Sequence, residues 1–290
     1  MIRATEAITS ATRYLADADR LLPGRIVGFY VVGSVALGEY QHGRSDIDVV
    51  VVVDGDLDAR EVKQVRSLQV RSGLRTAGTA LRRGHQATTG TCNAVYLRAD
   101  DLTRPVRRIE PIVVHIGHLF LVGARGLGSD VSPVAWQVLS EHGIALRGPE
   151  PSTLGLDGEP EALREWNLDN LDRYWRPWAA GVTRHPRRLF GVRPRWATAW
   201  GALGAPRLHH TIATGRVISK EAAGAYARDV FPPVWHPLLD EALAYRHHHV
   251  NPSFRVSPAA RGRLTAAFVL HVADAAGEIA AAREVDLAAP

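Results

Sequence analysis

Residues 31–53 read VVGSVALGEYQHGRSDIDVVVVV, and this stretch decides the fold of the first part of the chain. An apolar segment ends at Gly33 and Ser34, a mixed segment follows, and a second apolar segment begins around Asp46 and Asp48. A continuous run of valines is typical of a strand that is covered on both faces. The pattern predicts a strand, a turn, a short helical stretch, a loop and a second strand, in that order.

Two carboxylates occupy alternate positions at the start of the second strand. Because strand side chains alternate between faces, Asp46 and Asp48 are expected to point the same way, with Ile47 in the core. Gly33 lets the backbone approach a ligand, and the helix N-terminus behind it favours phosphate. Mg²⁺ is normally held by one or two carboxylates plus substrate phosphates. The stretch therefore predicts a metal and phosphate site; the alternative is an ordinary turn beside two surface charges.

The composition is that of a folded protein without a signal segment or disulfides. Of 290 residues, 46% are hydrophobic and 22% are charged, which argues against a disordered or low-complexity chain. The longest purely aliphatic run, residues 49–53, is far shorter than the roughly 18 apolar residues that span a bilayer. The single cysteine, Cys92, excludes an intrachain disulfide and a multi-cysteine zinc site, and we expect it to be buried in a strand. We expect a soluble, cytoplasmic protein.

The net charge of +5 raises the question of nucleic-acid binding. Lys63 and Lys220 are the only lysines among 35 cationic side chains. Such an arginine bias is more typical of GC-rich coding than of a surface selected to bind polyphosphate. We therefore expect neither a nucleic-acid nor a membrane partner, and we expect a monomer.

The chain changes character at the Pro- and Gly-rich segment 148–160. Before it, helices and strands are mixed, with predicted elements over residues 5–22, 25–32, 46–53, 59–73 and 91–98. After it, the periodicity predicts only helices, over residues 161–180, 196–214, 219–230, 235–245 and 258–284. Ser219 is expected to cap one of them. The predicted fold is an α/β domain over residues 1–150, with a bridging helix region over 130–147, followed by an all-helical domain over 151–290.

These motifs resemble a known family. Gly33-Ser34 followed by Asp46-Ile47-Asp48 resembles the nucleotidyltransferase superfamily that includes DNA polymerase beta. The longer form, GSVALGEYQHGRSDIDVVVVV, looks like the streptomycin and spectinomycin adenylyltransferases. Residues 132–151 and 204–246 are similar to that family's C-terminal helical domain and the segment leading into it. The resemblance implies an α+β nucleotidyltransferase domain with a small mixed sheet, followed by a helical domain for substrate and nucleotide.

The resemblance also implies an activity: transfer of AMP from ATP to a hydroxyl of an aminoglycoside- or aminocyclitol-like small molecule, with release of pyrophosphate. Asp46 and Asp48 would bind two Mg²⁺ ions at the α-phosphate. Gly33, Ser34 and Ser45 would hold the triphosphate. Four further nucleotide contacts are implied in the bridging region and the helical domain: Asp130, Arg207, Lys220 and Tyr245. The interdomain cleft is therefore the expected active site.

One position departs from the family pattern in a way that touches the chemistry. Where the family has a third carboxylate that takes the proton of the attacking hydroxyl, this chain has Asn93, and an amide does not accept that proton at neutral pH. The alternatives are a shifted alignment, a base on the substrate, impaired transfer, or a base contributed by Glu110, Asp100 or Asp101.

The acceptor site is the second departure. Arg193 and Arg195 stand where acidic residues would help to bind a polycationic aminoglycoside. Trp196 and Trp200, spaced i, i+4, are candidates for stacking on a sugar ring, although tryptophans at helical spacing are more often core residues.

Three acidic residues of the predicted helix 161–180 are candidates for an acidic wall, with a solvated helix face as the alternative: Glu165, Asp169 and Asp172. Two other functions stay open. One is a tailoring nucleotidyltransferase of secondary metabolism that acts on a neutral or anionic sugar, which Arg193, Arg195 and Asn93 favour. The other is a nucleotide-binding regulatory protein that has lost transfer activity.

Overall fold

The computed structural model describes residues 2–83, 91–117, 119–123, 131–156 and 159–288. The chain divides into two compact units, Met1–Glu159 and Pro160–Pro290. Each unit is built around its own hydrophobic core.

A six-stranded mixed sheet forms the framework of the first unit, with the strand order β5-β4-β3-β2-β1-β6. β2 and β3 are parallel, and the other neighbouring pairs are antiparallel. The expected small mixed sheet is therefore confirmed. The strands are β1 (Ile26–Val32), β2 (Ile47–Val53), β3 (Cys92–Arg98), β4 (Val113–Ile116), β5 (Leu119–Val122) and β6 (Ile144–Arg147).

The valine run explains why β2 lies at the centre of the sheet. Val49, Val51 and Val53 face a core that includes side chains of α1 and α3. Val50 and Val52 point to the opposite face and are also buried. Burial on both faces removes an uninterrupted apolar run from water, as the sequence predicts. The helices of this unit are α1 (Ile2–Leu21), α2 (Gly33–Ala36), α3 (Ala59–Arg83) and α4 (Pro133–His142).

Three short strands were not predicted, and one of them corrects the expected bridging helix region. α4 ends at His142, and after Gly143 the chain forms β6, which pairs with β1. Residues 144–147 are therefore strand and not helix. A four-residue segment is too short to display a period of two, so only its pairing with β1 defines it. The same reason applies to β4 and β5, which also have four residues each.

The described part of the second unit is helical, as expected. α8 is its central helix and packs against α5, α9, α10 and α11. Small residues of α8 make this close packing possible: a Cβ at Gly204 would lie 2.5 Å from the ring of Trp175. A π-helical stretch, Leu171–Trp175, joins α5 to α6. The helices are α5 (Pro160–Asn170), α6 (Arg176–Arg184), α7 (Pro186–Phe190), α8 (Pro194–Thr214), α9 (Lys220–Val230), α10 (His236–Arg246) and α11 (Pro258–Ala288).

Among the residues that the structure describes, one helix is long and apolar enough to cross a membrane, namely Pro258–Arg283 of α11. Side chains on one side of this helix, including Phe268, Val269 and Val272, are fully buried in the core of the second unit. α11 packs against α6, α7 and α8. These contacts account for the apolar residues on that side of the helix.

The expected cap of α9 is confirmed, and it gives a stability prediction. The Ser219 Oγ accepts a hydrogen bond from the Ala222 backbone N–H at 3.0 Å. Ser219→Ala is expected to lower the free energy of unfolding by about 1 kcal/mol, because a backbone donor at the helix start loses its partner. Ser219→Asp restores a capping oxygen and serves as the control. Denaturant unfolding of both variants measures the difference, and equal losses in the two would contradict the capping role.

Candidate active site

The turn after β1 brings the backbone directly against one of the two aspartates. Gly33 has a φ of 63°, in the left-handed region. Antiparallel pairing of β1 with β2 places Val32 opposite Asp48. A Cβ on residue 33 would overlap the Asp48 carboxylate, whose Cγ would lie 3.0 Å from it. Only glycine meets both the backbone and the space requirement at this position.

Both aspartates converge on one amide nitrogen. The Asn93 Nδ2 donates to the Asp46 Oδ2 at 2.7 Å and to the Asp48 Oδ1 at 3.2 Å. The parallel register of β2 and β3 pairs Asp48 with Asn93, while Asp46 lies just before β2. Ile47, which stands between the two aspartates in the sequence, is fully buried. The structure therefore brings the two carboxylates to the same side of β2.

The amide itself is fixed from its other end. Asn93 is 5% exposed, and its Oδ1 accepts a hydrogen bond from the Gly117 backbone N–H at 3.0 Å. Gly117 directly follows β4. This contact is not predicted from the sequence, because Gly117 stands between two short segments, VVHI and LFLV, whose pattern does not point to Asn93.

The two serines near the carboxylates differ in their surroundings. Ser34 is half-buried in the first turn of α2, where backbone N–H groups lack partners within the helix. Ser45 is buried, and its Oγ accepts from the Gln41 backbone N–H at 3.1 Å. The Ser45 backbone N–H in turn donates to the Gln41 carbonyl at 2.8 Å. Ser45 thus closes the loop that leads into Asp46.

Two titratable neighbours of the carboxylates, Cys92 and Tyr40, are neutral. Burial, together with the negative charge of Asp48, raises the pKa of the Cys92 thiol to about 12. Burial, and then the nearby Glu6 carboxylate, raises the pKa of Tyr40 to about 12. Cys92 is buried in β3 as expected. Both groups keep their protons at neutral pH, so neither is a thiolate or phenolate base.

The structure does not bring the alternative bases to this place. The Asp101 Oδ2 accepts from the Arg98 backbone N–H at 3.0 Å, and Asp100 belongs to the same turn. The Glu110 carbonyl accepts from the Arg98 guanidinium at 3.1 Å. Asn93 is five residues before Arg98 on β3, which is about 16 Å at the rise of a strand. Direct proton transfer over that distance is excluded.

In the second unit, Trp196 and Trp200 form a stacked pair. Their ring centroids are 5.6 Å apart with an interplanar angle of 12°. Both residues are half-buried and pack against the core, so each combines core contacts with some exposed surface. The Trp200 Nε1 donates to the Tyr174 hydroxyl at 3.1 Å, and the Lys220 Nζ lies 4.9 Å from the Trp200 ring centroid. The pair is thus part of a partly exposed aromatic surface next to a cation.

A buried ion cluster changes the interpretation of the arginines on α8. The Arg195 Nε and the Arg261 guanidinium both donate to the Glu241 Oε1, each at 2.7 Å. Glu241 is 1% exposed. The charge of Arg195 is therefore partly offset by a buried carboxylate that it shares with Arg261. Arg193 is exposed.

The other nucleotide-contact candidates lie in different settings. Tyr245 is buried at 8% exposure, with the Arg195 guanidinium 5.6 Å from its ring centroid. The Arg207 Nε donates to the Ile218 carbonyl at 2.9 Å. Lys220 is the first residue of α9. Asp130 lies outside the described residues. Arg207 and Lys220 are half-buried cations, Arg207 within α8 and Lys220 at the start of α9.

The proposed acidic wall is exposed and partly neutralised. Glu165 and Asp169 are both exposed on α5. Asp169 forms an ion pair with Arg173 at 3.5 Å, and Asp172 forms one with Arg176 at 2.8 Å. Exposed pairs of this kind have weak net energies, so the carboxylates stay exchangeable with a cationic ligand.

Two family models match the chain, one in each unit. A nucleotidyltransferase domain matches residues 13–77, which include Gly33, Ser34, Asp46 and Asp48. The C-terminal domain of aminoglycoside adenylyltransferases matches residues 194–265. The chain is a nucleotidyltransferase of the adenylyltransferase type. The resemblance seen in the sequence is confirmed.

A solved structure with the same fold extends over nearly the whole chain. Spectinomycin adenyltransferase AAD(9) from Enterococcus faecialis, crystallised with ATP and spectinomycin, is 13% identical to this adenylyltransferase and superposes with a TM-score of 0.60. The match covers 93% of this chain and 99% of the other. At this identity the likeness establishes the fold. No curated protein sequence matches the chain significantly.

The carboxylates of this adenylyltransferase fit a magnesium ion that is shared with substrate. Asp46 and Asp48 supply hard oxygen ligands whose separation is limited by their common partner, Asn93. Within the part of the chain that the structure describes, no group of three or more His, Cys, Asp or Glu side chains forms a complete metal cage. Mg²⁺ does not need one, because it takes one or two carboxylates and completes its shell with phosphates and water.

The contact between Gly33 and Asp48 gives a prediction with a matched control. Gly33→Ala is expected to reduce the rate of pyrophosphate release about 100-fold, because the new methyl displaces the Asp48 carboxylate. Gly38 has a similar φ of 72°, yet a Cβ there meets nothing within 4 Å. Gly38→Ala therefore introduces the same backbone strain, about 1–2 kcal/mol, without the overlap. Equal rates in the two variants would refute the role of the contact.

Proposed function

We propose that this adenylyltransferase moves AMP from ATP to a hydroxyl of an aminoglycoside- or aminocyclitol-like small molecule, in a magnesium-dependent reaction that releases pyrophosphate. The observation that carries the proposal is the convergence of Asp46 and Asp48 on Asn93 beside the turn at Gly33 and Ser34. The match of residues 194–265 to the aminoglycoside adenylyltransferase C-terminal domain supports the acceptor class.

Residues of the first unit would hold the triphosphate and its metal. Asp46 and Asp48 are the proposed ligands, and a bound Mg²⁺ polarises the α-phosphate and stabilises the leaving pyrophosphate. Gly33 and Ser34 present backbone N–H groups at the start of α2, where a negatively charged oxygen is favoured. Ser45 keeps the loop before Asp46 closed and would lie beside the phosphates.

The acceptor oxygen would attack the α-phosphorus in line as the bond to the pyrophosphate oxygen breaks. The hydroxyl proton has to leave in the same process. Asn93 does not take it, because its amide is a donor to both aspartates and carries no basic lone pair. Cys92 and Tyr40 are protonated neighbours and cannot accept it. We propose that the proton passes to a basic group of the acceptor molecule or to water.

Four further residues are proposed to contact the nucleotide. Arg207 and Lys220 would neutralise phosphate charge, and Lys220 is one of only two lysines in an arginine-rich chain. An ammonium is a compact charge that suits a single phosphate oxygen. Tyr245 and Asp130 complete this group on the strength of the family resemblance. Tyr245 is buried at 8% exposure, which leaves little of its surface for such a contact.

Two pairs of side chains are proposed for the acceptor. Trp196 and Trp200 expose the edges of a stacked pair on which a sugar ring can pack. Glu165 and Asp169 provide exposed carboxylates for protonated amines. The Arg195 guanidinium shares the buried Glu241 carboxylate with Arg261, so its charge is partly offset and argues less strongly against a cationic acceptor. The match to the aminoglycoside adenylyltransferase C-terminal domain then favours an aminoglycoside-like acceptor over a neutral or anionic sugar. We further propose that the enzyme acts as a cytoplasmic monomer.

A product analysis tests the function. The protein is incubated with ATP, Mg²⁺ and a panel containing spectinomycin, streptomycin and neutral sugars, and the products are examined by mass spectrometry. We expect an aminoglycoside or aminocyclitol to gain one adenylyl group, with an equal amount of pyrophosphate released. Modification of only a neutral sugar would support a tailoring enzyme, and ATP binding without any product would support a regulatory protein.

The same assay tests the two carboxylates. Asp46→Asn and Asp48→Asn are each expected to lower the transfer rate at least about 100-fold, because loss of a metal ligand removes several kcal/mol of transition-state stabilisation. Asp54→Asn is the matched control, since Asp54 is an exposed carboxylate just beyond the opposite end of β2. Wild-type rates in the Asp46 and Asp48 variants would disprove the mechanism.

A further inference from the structure

We propose that Asn93 is a positioning residue: it holds Asp46 and Asp48 at the separation that metal binding requires, and it replaces a side-chain base on β3 with a hydrogen-bond donor. The inference rests on the proposed function, because it takes the two aspartates as metal ligands. It goes beyond that function by assigning the amide a structural task in the metal site.

The orientation of the amide is determined by its three neighbours. Its nitrogen faces two carboxylate oxygens, at 2.7 Å for Asp46 and 3.2 Å for Asp48. Its oxygen faces the Gly117 backbone N–H at 3.0 Å. The reverse orientation would place an acceptor against two acceptors and a donor against a donor. Asn93 thus uses both N–H groups and its carbonyl in a position that is 5% exposed.

The electrostatics explain what this donor does. Two ionised carboxylates that share a site repel each other, and because Asp46 is exposed and Asp48 is half-buried, water screens part of that repulsion. An N–H donated to each carboxylate offsets the repulsion, and hydrogen bonds to charged acceptors are stronger than those between neutral groups. Asp46 and Asp48 are thereby held together before a cation binds. A ligand set that is already arranged loses less freedom on binding, which favours affinity.

The anchoring of the amide is as important as the donation. β3 fixes the Asn93 backbone beside Asp48, and the Gly117 N–H fixes the far end of the side chain. Polar partners that orient metal ligands in this way contribute about 10–100-fold to metal affinity or activity. A carboxylate at residue 93 accepts the Gly117 hydrogen bond equally well, but it adds a third negative charge to the pair instead of a donor.

A measurement of metal binding, which needs no acceptor, tests the proposal in the wild type and in the Asn93→Ala variant. Mn²⁺ serves as the probe, and its binding is followed by electron paramagnetic resonance and calorimetry. Asn93→Ala is expected to weaken Mn²⁺ binding about 10–100-fold. Asn93→Ala is expected to transfer AMP more slowly than the wild type at low Mg²⁺. At saturating Mg²⁺ its rate is expected to approach the wild-type rate, because the bound ion then holds the two carboxylates together.

The aspartate variant gives an independent thermal readout. Asn93→Asp is expected to lower the melting temperature of the metal-free protein, and Mg²⁺ is expected to raise that temperature more than it does for the wild type. Asn167→Asp is the matched control, because Asn167 is equally buried and its Nδ2 donates to the Leu163 carbonyl at 2.7 Å in the second unit. Its destabilisation is expected to be independent of Mg²⁺.

The outcomes separate the proposal from the function on which it rests. If Asn93→Ala binds Mn²⁺ as tightly as the wild type and stays slow at every Mg²⁺ concentration, Asn93 acts on the reacting groups and the proposal is overturned. If Asn93→Ala does not fold, the change in the melting temperature of Asn93→Asp on adding Mg²⁺ is the deciding measurement. A change equal to that of Asn167→Asp overturns the proposal. A wild-type protein that binds no Mn²⁺ overturns the proposed function itself.

Discussion

The hydrogen bonds from one amide nitrogen to two carboxylates are the interaction on which the candidate active site depends. Asn93, Asp46 and Asp48 come from two neighbouring parallel strands, so the register of β2 against β3 determines whether they meet. The valines that follow Asp48 are buried on both faces and hold β2 in the centre of the sheet. The chemistry at the strand ends is therefore supported by the apolar centre of the sheet.

The second unit uses a different principle, in which small residues permit close approach and buried charges are paired. Gly204 on α8 leaves room for the Trp175 ring, and this ring also packs against Trp200 of the same helix. Glu241 is compensated by two arginines that are distant from it in sequence. A buried carboxylate is tolerated only with such partners. The charges that remain exposed on α8 are consequently fewer than its sequence suggests.

The sequence predicted those features whose signal is local and repeated. The alternation around Ile47, the valine run and the cap at Ser219 are of this kind, and the structure contains all three. The four-residue strands carry no usable periodicity, since β6 is defined only by its pairing with β1. The tasks of Asn93 and Arg195 depend on Gly117 and Glu241, and no local pattern reveals a partner that is tens of residues away.

The close approach of Gly33 to Asp48 has a consequence for how this chain can vary. Positions 33 and 48 occupy the same volume, so each restricts the residues that the other tolerates. A larger residue at position 33 becomes acceptable only when the carboxylate opposite has been given up, and the carboxylate is needed for the chemistry. Scanning one position at a time will therefore classify Gly33 as immutable, although only its backbone requirement belongs to Gly33 alone and the space requirement belongs to the pair.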